Sequence, residues 1–172
     1  MHEVFLGLGS NIGERETLLN QACKEIERLI GPIVVRSAFI ETEPWGYEST
    51  NKFLNAVVRC HTNLEPLPLL NVTQSIERRL GKRKKHATER LPQPSTIHHP
   101  PSTLHPQPST IFHDRPIDID ILLYDCATIN EPRLQVPHPL MLQRDFVMIP
   151  LREVLNQEDD NKYLNFLLGQ MK

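Results

Sequence analysis

The run Arg115-Pro116-Ile117-Asp118-Ile119-Asp120-Ile121-Leu122-Leu123-Tyr124 constrains this chain more than any other stretch. In an extended strand successive side chains take opposite faces, so Asp118 and Asp120 share one face while Ile117, Ile119 and Ile121 share the other. Two carboxylates at i and i+2 start about 7 Å apart at Cα, and their heads can converge further. At about 4 Å and an effective dielectric near 20 they repel by roughly 4 kcal/mol. A cation removes that penalty, and hard oxygen donors suit magnesium. Arg115, just upstream, is a candidate partner for a phosphate. Taken alone, the simpler reading is an amphipathic strand whose aspartates face water.

A chain of 172 residues accommodates one ordinary domain with a real core. The formal net charge of −2 argues against a general nucleic-acid binder, whose footprint is normally basic. Cys23, Cys60 and Cys126 are odd in number and form no close pair, which suits a reducing compartment and no disulfide framework. The N-terminus runs directly into Val4-Phe5-Leu6 without a charged leader, and no stretch approaches the ~18 apolar residues of a membrane span. The expectation is a cytoplasmic monomer, a single domain over 1–172 that binds neither nucleic acid nor membrane.

Val4 to Gly9 reads as a short buried strand ending in the turn Gly9-Ser10-Asn11. Leu18, Leu19, Ala22, Cys23, Ile26, Leu29 and Ile30 then fall on one stripe of 3.6 period, stopped by Gly31-Pro32. Ile33 to Ile40 reads as one strand and Phe53 to Thr62 as another, joined by a polar loop carrying Pro44, Trp45, Gly46 and Tyr47. A second helix is predicted from about Pro68 to Leu80, with Gly81 as its terminator. The stretch 146–155 ends in a Leu/Val-rich, helical segment. Strands and helices mix without the regular alternation of a doubly wound sheet. The fold class expected is α+β with a mostly antiparallel sheet.

Residues 86–113 break the pattern. Pro94-Ser95-Thr96-Ile97-His98, Pro101-Ser102-Thr103-Leu104-His105 and Pro108-Ser109-Thr110-Ile111-Phe112 repeat at an interval of seven, but the prolines forbid a coiled coil. Such a composition buries too little apolar surface to offset ordering entropy, so about 86–112 reads as a flexible insertion. Its histidines, including His86, His98, His99, His105 and His113, lack a fixed scaffold for a metal.

Several groups remain ambiguous one by one. Gly7-Leu8-Gly9-Ser10-Asn11-Ile12-Gly13 is no dinucleotide fingerprint, because Ile12 stands where a glycine is needed, and no Lys-Ser/Thr follows to make a P-loop. Its role reads as backbone, with Asn11 bonding the turn. Lys82-Arg83-Lys84-Lys85 either fans into solvent or meets phosphates. Gln74 and Glu77 share a helix face near that basic run. Phe53 and Asn55 share a strand face, an aromatic plate beside an amide that both donates and accepts, as reading the edge of a heterocycle requires. They equally suit a core phenylalanine and a loop-capping amide. His138, in Val136-Pro137-His138-Pro139, and Arg144 fit ordinary loop positions equally well.

In their order and spacing these groups resemble the 6-hydroxymethyl-7,8-dihydropterin pyrophosphokinase family. The matching elements are Gly9-Ser10-Asn11, the Thr42 to Trp45 loop, Phe53-Leu54-Asn55-Ala56, Gln74-Ser75-Ile76-Glu77 ending in Leu80-Gly81, the R-x-x-D-x-D strand, and Val136-Pro137-His138-Pro139 before Arg144-Asp145-Phe146. The resemblance implies a ferredoxin-like fold of α/β/α layers and diphosphoryl transfer from ATP to the pterin hydroxymethyl group, releasing AMP. It implies that Asp118 and Asp120 hold two magnesium ions, and that Arg115, Lys82 and Lys84 act on the phosphates. Gln74, Glu77, Ile121, His138 and Arg144 would line the ATP side. Phe53 and Phe146 would sandwich the pterin, with Asn55, Thr42, Pro44 and Trp45 around its edge. The chain departs from the family where lysines stand at 82 and 84 in place of arginines, which removes the guanidinium fork. It also carries Phe112-His113-Asp114 where many members have Trp-Gly-Pro. Phe112 is then the expected aromatic replacement, and the Pro/His-rich insertion is expected to lengthen a lid over the site.

Overall fold

The computed structural model describes residues 1–46, 49–82, 114–155 and 157–170, of which 157–160 and 170 are described by backbone alone. The Pro/His-rich insertion, Lys84 and Phe112 lie outside the described residues. The main sheet is built from β1 (His2–Ser10), β2 (Ile33–Arg36), β3 (Ile40–Thr42), β4 (Phe53–Thr62) and β5 (Asp118–Tyr124). Strand order is β2-β4-β1-β5, with β3 also on β4, and every pair is antiparallel. Helix α1 (Arg15–Leu29) connects β1 to β2 across β4, and α2 (Pro66–Arg79) connects β4 to β5 across β1. These are two interlocked split β-α-β units, the ferredoxin-like arrangement. A small hairpin, β6 (Ile129–Glu131) and β7 (Leu134–Val136), is followed by α3 (Asp145–Val154) and α4 (Gln157–Gln170).

Alternation along the strands sorts the core into two layers. Val4, Leu6 and Leu8 of β1, with Val58, Cys60, Ile119 and Ile121, pack on the face covered by Leu19, Ala22 and Ile26 of α1 and Leu69 and Ile76 of α2. Phe5, Val57, Leu122 and Leu123 face the opposite way, against Val147, Leu151 and Val154 of α3 and Tyr163 and Leu167 of α4. The α/β/α layering expected from the resemblance is therefore what forms, and each layer contains one apolar cluster. A bulge in β5 is visible in the register, where Phe5 pairs with Leu123 but Leu6 pairs with Ile121. The extra residue lets Leu122 and Leu123 both face α3. Cys23, Cys60 and Cys126 are free thiols. No described helix is long and apolar enough to cross a membrane.

Four local expectations are corrected. The predicted strand from Ile33 to Ile40 is two strands broken at Ser37. Ser37 N–H donates to the Val57 carbonyl, while its hydroxyl oxygen accepts from Val57 N–H, so a side chain replaces the ladder carbonyl there. Helix α2 begins at Pro66 rather than Pro68, because both prolines fall in a first turn whose N–H groups have no helical partner. Strand β1 continues through Ser10, and Asn11 bonds across to a distant segment instead of bonding its own turn. Helix α4 had no predicted counterpart. Among its described side chains Tyr163 and Leu167 are buried and Phe166 is half-buried, while Leu164 and Leu168 are exposed and blur the period.

Candidate active site

Three neighbouring strands place the chemistry on one sheet face. In the register, Asn55, Gly9 and Asp118 form one row across β4, β1 and β5, and Val57, Gly7 and Asp120 form the next. This is the face that α3 covers further along, at Phe5, Val57 and Leu122. Beyond that cover the sheet floor is glycine. A methyl group on Gly9 would lie 3.0 Å from Asn55 Oδ1 and 3.6 Å from the Phe53 ring. One on Gly7 would lie 3.3 Å from the Leu122 side chain. The two glycines thus keep a cleft open. The sequence signal was there: glycines at i and i+2 inside a strand whose partners carry Asn55 and two aspartates.

Thr42, Trp45, Phe53, Asn55, Phe146, Arg144, Arg115, Asp118 and Asp120 all line this cleft, as do Gly7, Gly9 and Glu43. Asn55 Nδ2 donates to Thr42 Oγ1 at 2.8 Å, which fixes the amide and leaves its Oδ1 over Gly9. The Arg144 guanidinium is 4.6 Å from the Trp45 ring centre and 5.7 Å from that of Phe146, so one cation links the two aromatic rings. Arg144 Nε is buried with no hydrogen-bond partner among the described residues. The Arg115 guanidinium lies 5.4 Å from the Phe53 ring, with its Nε 3.2 Å from Asp118 Oδ2. Phe53 is 7 % exposed, so most of its ring is already packed.

The two aspartates differ in environment. Asp118 Oδ1 accepts from the Lys82 ammonium at 2.5 Å, and that ammonium also donates to Glu77 Oε1 at 2.7 Å. Burial pushes the Asp118 carboxyl upward, but Arg115 and Lys82 beside it outweigh burial and hold it below the usual range. Asp120 receives no hydrogen bond among the described residues. Burial, followed by the negative charge of Asp118, pushes its carboxyl up to about 7. Glu77 is raised as well, by burial, against the pull of Lys82. Lys82 pairs with Asp118 and Glu77, and Arg115 pairs with Asp118, so that among the described residues no cation is paired with Asp120.

Residues assigned to the ATP side fall into two places. Arg144 lies in the cleft. Glu77 and His138 lie along the outer edge of β5, which no strand covers. There Ile119 N–H donates to Glu77 Oε1 at 2.8 Å, and His138 N–H donates to the Leu122 carbonyl at 3.0 Å. Leu140 N–H lies 3.3 Å from His138 Nδ1, which assigns the ring proton to Nε2. Burial and the charge of Arg144 hold the His138 imidazole below its usual value. Gln74 sits one turn before Glu77, half-buried, outside the cleft lining. The Ile121 side chain is buried on the α1/α2 face, because it alternates with the aspartates. Pro44 is half-buried in the β3–β4 loop and does not line the cleft. Among the described residues no group of three His, Cys, Asp or Glu side chains is arranged to hold a metal unaided. A donor set of two carboxylates suits magnesium, which keeps waters and takes oxygens from a bound phosphate chain.

Comparison with known proteins identifies the family and the fold. The family model described as 7,8-dihydro-6-hydroxymethylpterin-pyrophosphokinase matches residues 5–97 and 102–156. A 2-amino-4-hydroxy-6-hydroxymethyldihydropteridine pyrophosphokinase of Porphyromonas gingivalis is 42% identical over 152 residues, covering 88% of this chain and 89% of that protein. A Bacillus subtilis enzyme of the same name is 36% identical, covering 89% of this chain and 78% of the relative. Among solved structures, an HPPK-DHPS in complex with substrates superposes with a TM-score of 0.62 at 14% identity, over 89% of this chain and 40% of that one. A Plasmodium falciparum HPPK-DHPS wild type gives 0.59 at 16% identity, over 98% and 46%. This chain therefore spans less than half the length of those two solved chains, and the likeness to them is one of fold.

Proposed function

The chain belongs to the 7,8-dihydro-6-hydroxymethylpterin-pyrophosphokinase family, and from that membership we propose how its own residues divide the work. The enzyme transfers diphosphate from ATP to the hydroxymethyl group of 6-hydroxymethyl-7,8-dihydropterin, in folate biosynthesis. In that transfer the pterin hydroxyl oxygen bonds to the β-phosphorus, the bond from that phosphorus to the α–β bridging oxygen breaks, and AMP leaves. The observation that carries the reading is the row Asn55–Gly9–Asp118, which sets a flat, glycine-floored cleft directly beside an acidic pair.

The pterin lies on Gly7 and Gly9, between Phe53 and Phe146, with Trp45 and Thr42 at the rim. The fixed Asn55 amide reads its edge, its Oδ1 accepting from a ring N–H. Asp118 and Asp120 would hold magnesium, two ions in this reading. Held there by the two carboxylates, the metal would supply positive charge against the charge that develops on the transferred group. The fit rests on Asp120, which pairs with no cation among the described residues and stands beside the negative charge of Asp118, and on Lys82, whose ammonium already stands on Asp118. Lys82 and Arg115 are then placed to turn to phosphate oxygens, and Arg144, with its unpartnered Nε, holds the phosphate chain against the aromatic rim. Lys84 takes part in the phosphate contacts. Gln74, Glu77, His138 and the main chain at Ile121 line the adenine and ribose side along the outer edge of β5. Positioning and electrostatics carry the chemistry, with no strong protein base required.

Three free cysteines support a cytoplasmic setting. Incubation with ATP, magnesium and hydroxymethyl-dihydropterin, followed by identification of the nucleotide product, tests the reaction. AMP is the expected product, whereas ADP would indicate an ordinary kinase and overturn the proposal.

A further inference from the structure

Asp114 lines no part of the cleft, yet three segments that bound the cleft converge on it. Its Oδ1 accepts from Asn11 Nδ2 at 2.6 Å. Its Oδ2 accepts from Asn51 Nδ2 at 2.6 Å and from Ser49 Oγ at 3.1 Å. Asn11 follows β1, Ser49 and Asn51 belong to the β3–β4 loop, and Asp114 immediately precedes Arg115 on the approach to β5. Asn11 reinforces the junction: its Oδ1 accepts from Arg115 N–H at 2.7 Å, its own N–H donates to the Arg115 carbonyl at 3.2 Å, and its Nδ2 reaches the Asn51 carbonyl at 3.4 Å.

These contacts have a direction. The loop held by Ser49 and Asn51 is the one that carries Trp45 over Arg144, and Arg115 is the cation between the Phe53 ring and Asp118. The root of the same loop is held separately, by Arg15, which donates to the Lys52 carbonyl at 2.7 Å and to Glu41 at 2.8 Å. The Asp114 carboxylate is thus a second clamp, and it ties the loop to the phosphate-side arginine. A carboxylate accepts from three donors at once, which no neutral side chain of this size does.

We propose that Asp114 is a positioning residue that couples the pterin-side loop to Arg115, so that the rim around Trp45 and the guanidinium on Asp118 are set together. This rests on the placement of the pterin between Phe53 and Phe146 given above. Asp114→Ala raises the pterin KM by about tenfold and lowers kcat, the scale on which displaced positioning groups act. Asn51→Ala, an exposed change outside the cleft, raises the pterin KM by a smaller factor, and the double variant is no worse than Asp114→Ala alone. Asp114→Asn, the same shape with one acceptor oxygen, recovers only part of the loss, whereas a purely steric role would be restored in full.

Steady-state kinetics of wild type and these four variants, with melting temperatures alongside, decide the matter. A pterin KM in Asp114→Ala within twofold of wild type overturns the proposal, as do additive effects in the double variant. Should Asp114→Ala fail to fold, Asn51→Ala alone still decides, since an unchanged pterin KM there overturns the coupling. Asn55→Ala serves as a control in the same assay. If it loses pterin affinity while the Asp114 variants do not, only the coupling fails. If it too is unaffected, the pterin placement itself is wrong.

Discussion

At the residue scale, a handful of small decisions set the cleft, and Gly9 is the sharpest of them. A Cβ there meets Asn55 Oδ1 at 3.0 Å and the Phe53 ring at 3.6 Å, so the site has no room for a methyl group. Gly9→Ala should cost roughly 1–3 kcal/mol of stability, because Asn55 must give way to the methyl group, and should raise the pterin KM by about tenfold, because that group stands on the cleft floor. An unchanged KM would show that the ligand does not lie on this floor. Alternation made the shared face of Asp118 and Asp120 legible in the sequence, but not their unlike surroundings, which depend on Lys82 arriving from another element. Asp125 at the far end of β5 makes the pH dependence testable away from the site. Burial pushes its carboxyl up, but Glu3 N–H and the His2 ring, each at 2.8 Å, outweigh burial and hold it below the usual value. A lowered folded value means that its stabilisation is fully present above the ordinary carboxylate range and lost as pH falls through the folded value. Asp125→Asn should therefore melt lower than wild type at neutral pH, with the gap closing in strong acid. A gap that widens in acid would contradict the assignment.

At the element scale, periodicity located α1, α2, β4 and β5 within a residue or two, because each buries a dense one-sided pattern. It missed the break at Ser37, where a hydroxyl substitutes for a ladder carbonyl, a tertiary event with no local signature. Gly31, read as a stop for α1, has a more demanding role than stopping a helix. Its φ is +147° and a Cβ there would lie 2.1 Å from the His61 carbonyl oxygen. Gly31→Ala should destabilise the protein by about 3 kcal/mol or more, read by denaturant unfolding. The last helix was not legible because two of its three leucines, Leu164 and Leu168, are exposed. Its docking relies on a polar contact: Tyr163, fully buried, donates to Glu3 Oε1 at 2.5 Å, while Arg59 Nε holds Glu3 Oε2 at 2.9 Å. Tyr163→Phe should cost about 1.5–3 kcal/mol, the worth of a hydrogen bond to a charged group. Loss below half a kcal/mol would show that α4 is held by its apolar stripe alone.

At the scale of the whole molecule, two split β-α-β units leave β1 in the centre, and a central strand bearing glycines is what brings Asn55 and the aspartates to either side of one cleft. Mixed helices and strands without regular alternation pointed to an α+β class. The three-layer arrangement came from the family resemblance, since local pattern does not say which strands are neighbours. The site residues were nameable from the same resemblance, but their division between the cleft and the outer edge of β5 needed the fold. Deleting 92–108 should leave turnover within about tenfold, because loop length adds only slowly to closure entropy; complete loss would show that the Pro/His-rich insertion acts in catalysis. The account stands or falls on the acidic pair. Asp120 receives no hydrogen bond among the described residues and sits beside Asp118, so Asp120→Asn removes a repulsion without breaking a contact. The direct measurement is AMP release by Asp120→Asn at saturating ATP, magnesium and pterin, with its melting temperature recorded in the absence of metal. The account predicts a folded protein, at least as stable as wild type, whose turnover is lower by about three orders of magnitude. Turnover within tenfold of wild type would contradict it.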